Sequence, residues 1–83
     1  MSWYVYIVQC ADDSLYTGVT VDIERRVHEH NHSNKGAKYT RVRRPVSLVY
    51  HEACSTRSIA CQREWAIKQL TRTQKLALMA SSE

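Results

Sequence analysis

Length, composition and charge place this chain among small, basic, globular domains. It has 83 residues, of which 43% are hydrophobic and 24% are charged, and its formal net charge is +4. That composition excludes a disordered chain. No apolar run approaches the ~18–20 residues that span a bilayer, so we expect no membrane partner. A chain of this length has a small core, and we expect residues 1–83 to form a single domain.

Two further features indicate a cytoplasmic protein. The first ten residues, "MSWYVYIVQC", lack the basic start and the small-residue cleavage site of a signal peptide. The three cysteines, Cys10, Cys54 and Cys61, are odd in number and irregularly spaced, and they form no CxxC pair. This pattern is typical of structural thiols in a reducing compartment, not of a disulfide framework or a zinc knuckle.

The chain begins with a predicted β-hairpin. Residues 3–9 and 15–20 are rich in aromatic and β-branched side chains, which favours two strands. The turn between them, "ADDS", lacks the Asn-Gly or Asp-Gly pair of a two-residue turn. A three-residue loop is therefore favoured, and that register brings Tyr6 and Tyr16 onto the same face of the hairpin.

The next predicted element is a helix that begins after Thr20 or Asp22 and ends near residue 31. At about 100° per residue, Arg26 and His30 fall beside the apolar stripe of this helix, whereas the arginine before Arg26 faces away. A snorkelling arginine and a hydrogen-bonded histidine at the core edge would explain the pair. A polar site against the sheet would explain it equally well.

Residues 32–45 predict a basic loop, residues 47–52 a third strand, and the remainder two helices, one capped by Thr56 and one beginning at Thr71 or Thr73. The order is therefore ββα-loop-βαα. Strands outside a regular βαβα alternation indicate an α/β fold with a small three-stranded mixed or antiparallel sheet flanked by helices.

The helix after Thr56 carries one carboxylate of interest. Its apolar members are Ile59, Ala60, Ala66, Ile67 and Leu70. Projection places Glu64 at the edge of that apolar face. Such a carboxylate can pair with an arginine or coordinate a divalent cation, and its position alone does not decide between them.

The basic loop has the composition of a polyanion-binding segment. The segment "KGAKYTRVRR" contains no acidic residue. Its cationic residues are Lys35, Lys38, Arg41, Arg43 and Arg44. Such a run attracts nucleic acid through phosphate contacts and counterion release. Tyr39 lies inside it and offers a stacking surface for an unpaired base. A solvated loop is the other interpretation.

Several short motifs resemble those of the GIY-YIG endonuclease domain. They are "YVY" at 4–6, "YTG" at 16–18, and the segments "DIERRVHEH" and "REWAIKQL". Each is weak by itself, but their order and spacing together are specific. The resemblance extends from about Trp3 to Met79 and is closest to the small stand-alone bacterial branch. Tyr4 stands where the family has its first glycine, and Thr17 fills the middle of the second motif.

The resemblance implies a role for each of five residues. Tyr6 and Tyr16 match the tyrosines of the two motifs, either of which would deprotonate or position a water. Arg26 matches the helix arginine that binds phosphate, and His30 the histidine that orients a group or shuttles a proton. Glu64 matches the metal-binding glutamate, which implies a single Mg²⁺ or Mn²⁺ ion.

We therefore expect a metal-dependent endonuclease that hydrolyses DNA, in single-stranded or branched form, with DNA repair as the setting that the resemblance implies. The main alternative is a nucleic-acid-binding module with the same fold and little or no turnover. A zinc protein using His28, His30 and His32 is disfavoured, because positions i and i+2 of a helix point apart. A further alternative is a protein-interaction domain that uses Trp3 or Trp65 as an anchor. The sequence does not identify an accessory protein partner.

Overall fold

The computed structural model describes residues 2–81, which form a three-stranded antiparallel sheet and four helices. The elements are β1 (Trp3–Gln9), β2 (Leu15–Thr20), α1 (Ile23–His32), α2 (Lys38–Arg41), β3 (Ser47–Cys54), α3 (Arg57–Lys68) and α4 (Arg72–Ser81). The strand order is β2-β1-β3, so β1 is central and runs antiparallel to both neighbours. The predicted α/β class and element order are confirmed, and the sheet is antiparallel throughout.

The β1–β2 hairpin has the predicted register. Tyr6 pairs with Gly18, and Val8 pairs with Tyr16. Cys10 and Ser14 extend the pairing past the strand ends, because the Cys10 N–H donates to the Ser14 carbonyl at 2.8 Å. The loop proper is therefore residues 11–13, and it ends with Asp13 in the left-handed region at φ 67°. Aspartate adopts this conformation more readily than most residues because its short side chain bonds locally. As a result, the two tyrosines share one face of the sheet.

The central strand is buried on both faces, and this separates two hydrophobic clusters. On one face Val5 and Ile7 pack with Tyr50 and with Ile67 of α3. On the other face Tyr6, Val8, Cys10 and Val46 form a cluster against which Tyr16 and Val27 of α1 pack. The sheet therefore lies between α1 and the C-terminal helices, and the shared tyrosine face is the one that α1 covers.

Side-chain caps fix where the helices begin. The Asp22 carboxylate accepts the backbone N–H of Arg25 at 3.1 Å and starts α1. The Thr56 hydroxyl accepts the N–H of Ile59 at 3.1 Å and starts α3, as predicted. At α4 the Thr71 hydroxyl accepts the backbone N–H of a residue three positions later, at 3.2 Å. Each such bond satisfies one of the donors that the first helical turn leaves free.

Three details differ from the sequence-based expectations. The basic segment 32–45 is not entirely loop, because residues 38–41 form the short helix α2. Strand β3 continues two residues beyond the predicted end, to Cys54, because it stays paired with β1 through Trp3. Ile59 is 47% exposed and is not part of the core, since α3 turns Ala60 and Ile67 toward the sheet instead.

The three cysteines are free thiols, with Cys10 and Cys54 buried and Cys61 half-buried. Within residues 2–81, no helix combines the length and the apolar character that crossing a bilayer requires.

Candidate active site

A buried hydrogen bond joins the sheet to α1. The Tyr6 hydroxyl lies 2.8 Å from Nε2 of His30, and the two side chains are 1% and 0% exposed. Burial raises the pKa of Tyr6 to about 12, although the hydrogen bond and charge of Arg26 act in the opposite direction. Burial, reinforced by the Arg26 charge, lowers the pKa of His30 to about 4. Both groups are therefore neutral at pH 7.

The absence of a side chain at Gly18 makes this bond possible. A Cβ atom at that position would lie 2.5 Å from the Tyr6 hydroxyl oxygen and 2.8 Å from its Cζ atom. The Tyr6 ring therefore runs directly over the backbone of β2, at a distance that only glycine permits. This close approach explains on physical grounds why the second motif ends in glycine.

Tyr16 continues the site toward the surface as part of a row of rings. Its ring meets that of His30 edge-on, with centroids 5.4 Å apart and an interplanar angle of 67°. On the solvent side it stacks with Tyr39 at 5.9 Å. The Arg43 guanidinium lies 3.9 Å from the Tyr39 ring centroid. The row leads from the buried histidine to a tyrosine that is 39% exposed.

Arg26 lies one turn before His30 on α1 and is half-buried, as its helical position predicts. Its Nη1 atom donates to Oε1 of Glu29 at 3.0 Å and to the Lys35 carbonyl at 2.9 Å. The guanidinium is close enough to Tyr6 to oppose the rise in the pKa of that phenol. Its side chain is 25% exposed, so this fixed positive charge remains accessible to an anion. The neighbouring Arg25 points into solvent.

Glu64 brings the negative charge of the site from α3. After burial, which has the largest effect, its charge is among the influences that raise the pKa of Tyr6. Its side chain is 23% exposed, and one carboxylate oxygen lies 3.4 Å from Nζ of Lys68. The carboxylate is thus partly accessible from solvent.

In the part of the chain that the structure describes, Glu64 is a lone carboxylate with no other candidate metal ligands grouped around it. Among residues 2–81, no group of three or more His, Cys, Asp or Glu side chains converges on a possible metal position. One half-buried carboxylate is compatible with Mg²⁺ or Mn²⁺, which retain waters and take phosphate oxygens as further ligands. The His28 and His32 rings pair at 4.8 Å, but His30 is turned away into its bond with Tyr6. The three histidines therefore do not form a zinc site.

Comparison with known proteins identifies the architecture. The family model of the GIY-YIG catalytic domain matches residues 2–77. The chain belongs to the GIY-YIG family. This is a family of nucleases, and the resemblance seen in the sequence is confirmed. The five side chains described above therefore belong to a GIY-YIG domain. They are Tyr6, Tyr16, Arg26, His30 and Glu64.

The similar proteins are UPF0213 proteins, a small stand-alone branch of the GIY-YIG family. One from Desulfotalea psychrophila is 62% identical over 99% of this chain and 74% of its own length. One from Haloquadratum walsbyi is 60% identical over 90% of this chain and 83% of its own.

Two solved structures share the fold of this GIY-YIG domain. The solution NMR structure of a UPF0213 protein from Bacillus halodurans is 45% identical, covers 96% of this chain and 84% of its own, and has a TM-score of 0.61. That of a protein from E. faecalis is 40% identical, covers 99% of this chain and 88% of its own, and has a TM-score of 0.65.

The six residues predicted to bind nucleic acid occupy different environments in this GIY-YIG domain. Lys35, Lys38 and Arg41 are exposed. Arg43 is half-buried, because its Nε atom donates to an Asp12 carboxylate oxygen at 3.1 Å while the guanidinium covers Tyr39. A cation in such an ion pair has fewer donors left for phosphate than an exposed lysine has.

Arg44 holds the end of α1. Its guanidinium donates to the backbone carbonyls of Glu29, His30 and Ser33. A helix leaves its last carbonyls without intrahelical partners, and a cation there complements the helix dipole. The side chain therefore stabilises the segment that carries His30, a role that its position in a charged run does not suggest.

Thr40 and Asn31 contact the site region, although the sequence analysis did not single them out. The Thr40 side chain is fully buried, and its Oγ1 atom lies 2.9 Å from Nδ1 of His30. Asn31 makes two bonds to the Val46 backbone, of 2.9 and 2.7 Å, and so ties α1 to the end of the basic segment. Thr40 is an uncharged residue in a segment whose predicted function rests on its cationic residues. No sequence signal therefore distinguishes it from its neighbours.

Proposed function

We propose that this GIY-YIG domain is an endonuclease that hydrolyses phosphodiester bonds in DNA and requires one Mg²⁺ or Mn²⁺ ion held by Glu64. The observation that carries the proposal is the environment of the Tyr6 hydroxyl. It is bonded to His30 and is influenced by the charges of both Arg26 and Glu64. Phosphodiester hydrolysis needs a proton acceptor, an anion-binding group and a ligand for a metal ion, and these side chains have the chemistry to supply them.

In this mechanism Tyr6 activates the attacking water. With a pKa of about 12, Tyr6 is a neutral phenol at pH 7 and needs a group that takes its own proton when it accepts one from water. His30 is neutral, in contact and suitably placed for this. Tyr16, edge-on to the His30 ring, limits the orientations that the imidazole can adopt.

In this mechanism the negative charge on the phosphate is neutralised by Arg26 and by the metal ion that Glu64 would hold. The Arg26 guanidinium offers a planar pair of donors to a non-bridging oxygen, and its bonds to Glu29 and the Lys35 carbonyl hold it in place. Glu64 would hold the ion, with waters and phosphate oxygens as its other ligands. When bound, the ion supplies Lewis-acid charge for the phosphate and the leaving oxygen.

In this mechanism the basic segment, residues 35–44, binds the DNA. Lys35, Lys38 and Arg41 are exposed and would contact phosphates, while the exposed part of Tyr39 would stack on an unpaired base. Arg43 would contribute long-range attraction from its position over the Tyr39 ring. We therefore propose single-stranded or branched DNA as the substrate class.

A cleavage panel tests this function. Single-stranded, duplex, flap and junction DNA are incubated with the protein and Mg²⁺, Mn²⁺ or EDTA, with Tyr6→Phe as the impaired variant. Tyr4→Phe is the matched control, because Tyr4 lies on the same strand but packs edge-on against His51. We expect metal-dependent cutting that Tyr6→Phe loses and Tyr4→Phe keeps. Binding without cutting by the wild type would favour the nucleic-acid-binding module instead.

A further inference from the structure

We propose that Thr40 is a positioning residue that holds neutral His30 with its proton on Nδ1, so that Nε2 is left to accept the Tyr6 hydroxyl proton. This rests on the proposed function and extends the site to a residue in the basic segment. It also gives the Tyr6–His30 bond a direction. Without that direction, the distance between the two atoms does not say which one donates.

The assignment follows from counting protons around the Thr40 hydroxyl. Its Oγ1 atom lies 2.9 Å from the Ala37 carbonyl and 2.9 Å from Nδ1 of His30. The Ala37 carbonyl also accepts the backbone N–H groups of Thr40 and Arg41, at 3.0 and 3.1 Å. The Thr40 hydroxyl nevertheless has the geometry of a donor to this carbonyl, and we assign its single proton to that bond. The contact with His30 must then be supplied from the ring, which means that Nδ1 carries a hydrogen. In a neutral imidazole the other nitrogen, Nε2, is the acceptor.

One contact favours the opposite tautomer. The backbone N–H of Ala37 points at Nδ1 of His30 with a separation of 3.3 Å. This is longer than either bond made by Thr40 and lies beyond the usual range for a hydrogen bond from a backbone amide. Because both Thr40 bonds are shorter and satisfy a fully buried hydroxyl, we assign the proton to Nδ1.

The assignment gives the proton transfer a defined path. As water attacks the phosphorus, one water proton passes to the Tyr6 oxygen while the phenol proton passes to Nε2 of His30. The bond from phosphorus to the leaving oxygen breaks, and that oxygen takes a proton from solvent. His30 later returns its extra proton to the Tyr6 oxygen as that oxygen releases the proton taken from water, so no charge remains on the protein. Throughout, Thr40 holds the ring through Nδ1–H and does not touch substrate.

The ring nitrogens of His30 report this state directly. In ¹⁵N-labelled wild type at pH 7 we expect NMR to show a protonated Nδ1 and an unprotonated Nε2. Thr40→Ser keeps the hydroxyl and should keep this pattern. Thr40→Val removes it and leaves the Ala37 N–H as the remaining neighbour of Nδ1, which should shift the proton toward Nε2. A wild-type ring protonated at Nε2, or a Thr40→Val ring unchanged from wild type, would overturn the proposal.

Activity supplies the second readout, with Thr17→Val as the control for replacing a buried threonine. We expect Thr40→Val to lower kcat by about 10–100-fold with little change in KM, and Thr40→Ser to restore most of the rate. Equal rates for Thr40→Val and Thr17→Val would contradict the positioning role. If Thr40→Val does not fold, the wild-type tautomer and the Thr40→Ser rate still decide. If wild type cuts no DNA, the proposed function fails, while the tautomer measurement still tests the assignment.

Discussion

The Tyr6 hydroxyl and Nε2 of His30 lie 2.8 Å apart, although the two residues are 24 positions apart in the chain. One comes from the central strand and the other from the helix that covers it. Burial raises the pKa of the phenol to about 12 and lowers that of the imidazole to about 4. The pair is thus uncharged at neutral pH and is joined by a hydrogen bond, not by an ion pair.

The depressed pKa of His30 predicts loss of stability in acid. Because the folded state resists a proton that the unfolded chain accepts, this contribution is present above pH 6.5 and is lost as the pH falls toward about 4. Urea unfolding across that range should show wild type losing more free energy of unfolding than His30→Asn. The exposed His28→Ala variant should follow wild type, and a pH dependence that His30→Asn retains in full would contradict the account.

Gly18→Ala should destabilise the fold through Tyr6. The new methyl group would lie 2.5 Å from the phenol oxygen, and the ring cannot swing away because it is buried and bonded to His30. We expect a loss of about 1–3 kcal/mol in the free energy of unfolding. A double-mutant cycle with Tyr6→Phe, which removes the nearest atom, should show a smaller cost for the methyl group in the Phe background. Additive costs would mean that the methyl group clashes elsewhere.

Alanine substitutions at Arg44 and Arg41 should have different effects, the first on the free energy of unfolding and the second on DNA binding. Arg44→Ala removes the donor to three carbonyls at the end of α1 and should lower the free energy of unfolding by up to about 2 kcal/mol. Arg41→Ala, at an exposed position, should leave unfolding unchanged, weaken DNA binding, and lower the salt slope of affinity by about 1. The reverse pattern would contradict both assignments.

Thr17→Val should stabilise the protein. The Thr17 side chain is 3% exposed, and its hydroxyl is buried without a hydrogen-bond partner among residues 2–81. Valine has nearly the same shape, lacks the unsatisfied hydroxyl and favours strands, so we expect a gain of about 1 kcal/mol. Thermal unfolding measures the change. A lower midpoint for Thr17→Val would show that the hydroxyl has a partner, such as a water.

The features predictable from the sequence were those fixed by local rules. Alternating side chains and the turn composition were enough to place Tyr6 and Tyr16 on one face, and that register is confirmed. The cap at Thr56 is likewise predictable, because a capping bond spans three residues, and of the two candidates for α1, Thr20 and Asp22, the structure has Asp22. Helical projection correctly turned His30 inward.

The features that sequence reasoning missed depend on contacts between distant segments. Arg44 was grouped with its cationic neighbours, but the carbonyls that it binds begin 15 residues earlier, at Glu29. Thr40 meets His30 across 10 residues through a short helix that charge patterning does not indicate. The sequence pattern predicts Ile59 as core, but tertiary packing sets how far α3 overlaps the sheet, and residues 57–59 at its start are left exposed.

Single-turnover cleavage by Glu64→Gln tests the central claim most directly. Glutamine keeps the shape of the side chain but loses the charge that would hold the ion, and Glu24→Gln, at an exposed position of α1, is the matched control. Since a metal ion contributes several kcal/mol to such a reaction, we predict that Glu64→Gln cuts DNA slower than wild type by on the order of a hundredfold or more. We predict that Glu24→Gln retains the wild-type rate. Equal Mg²⁺-dependent rates for the two variants would contradict the account.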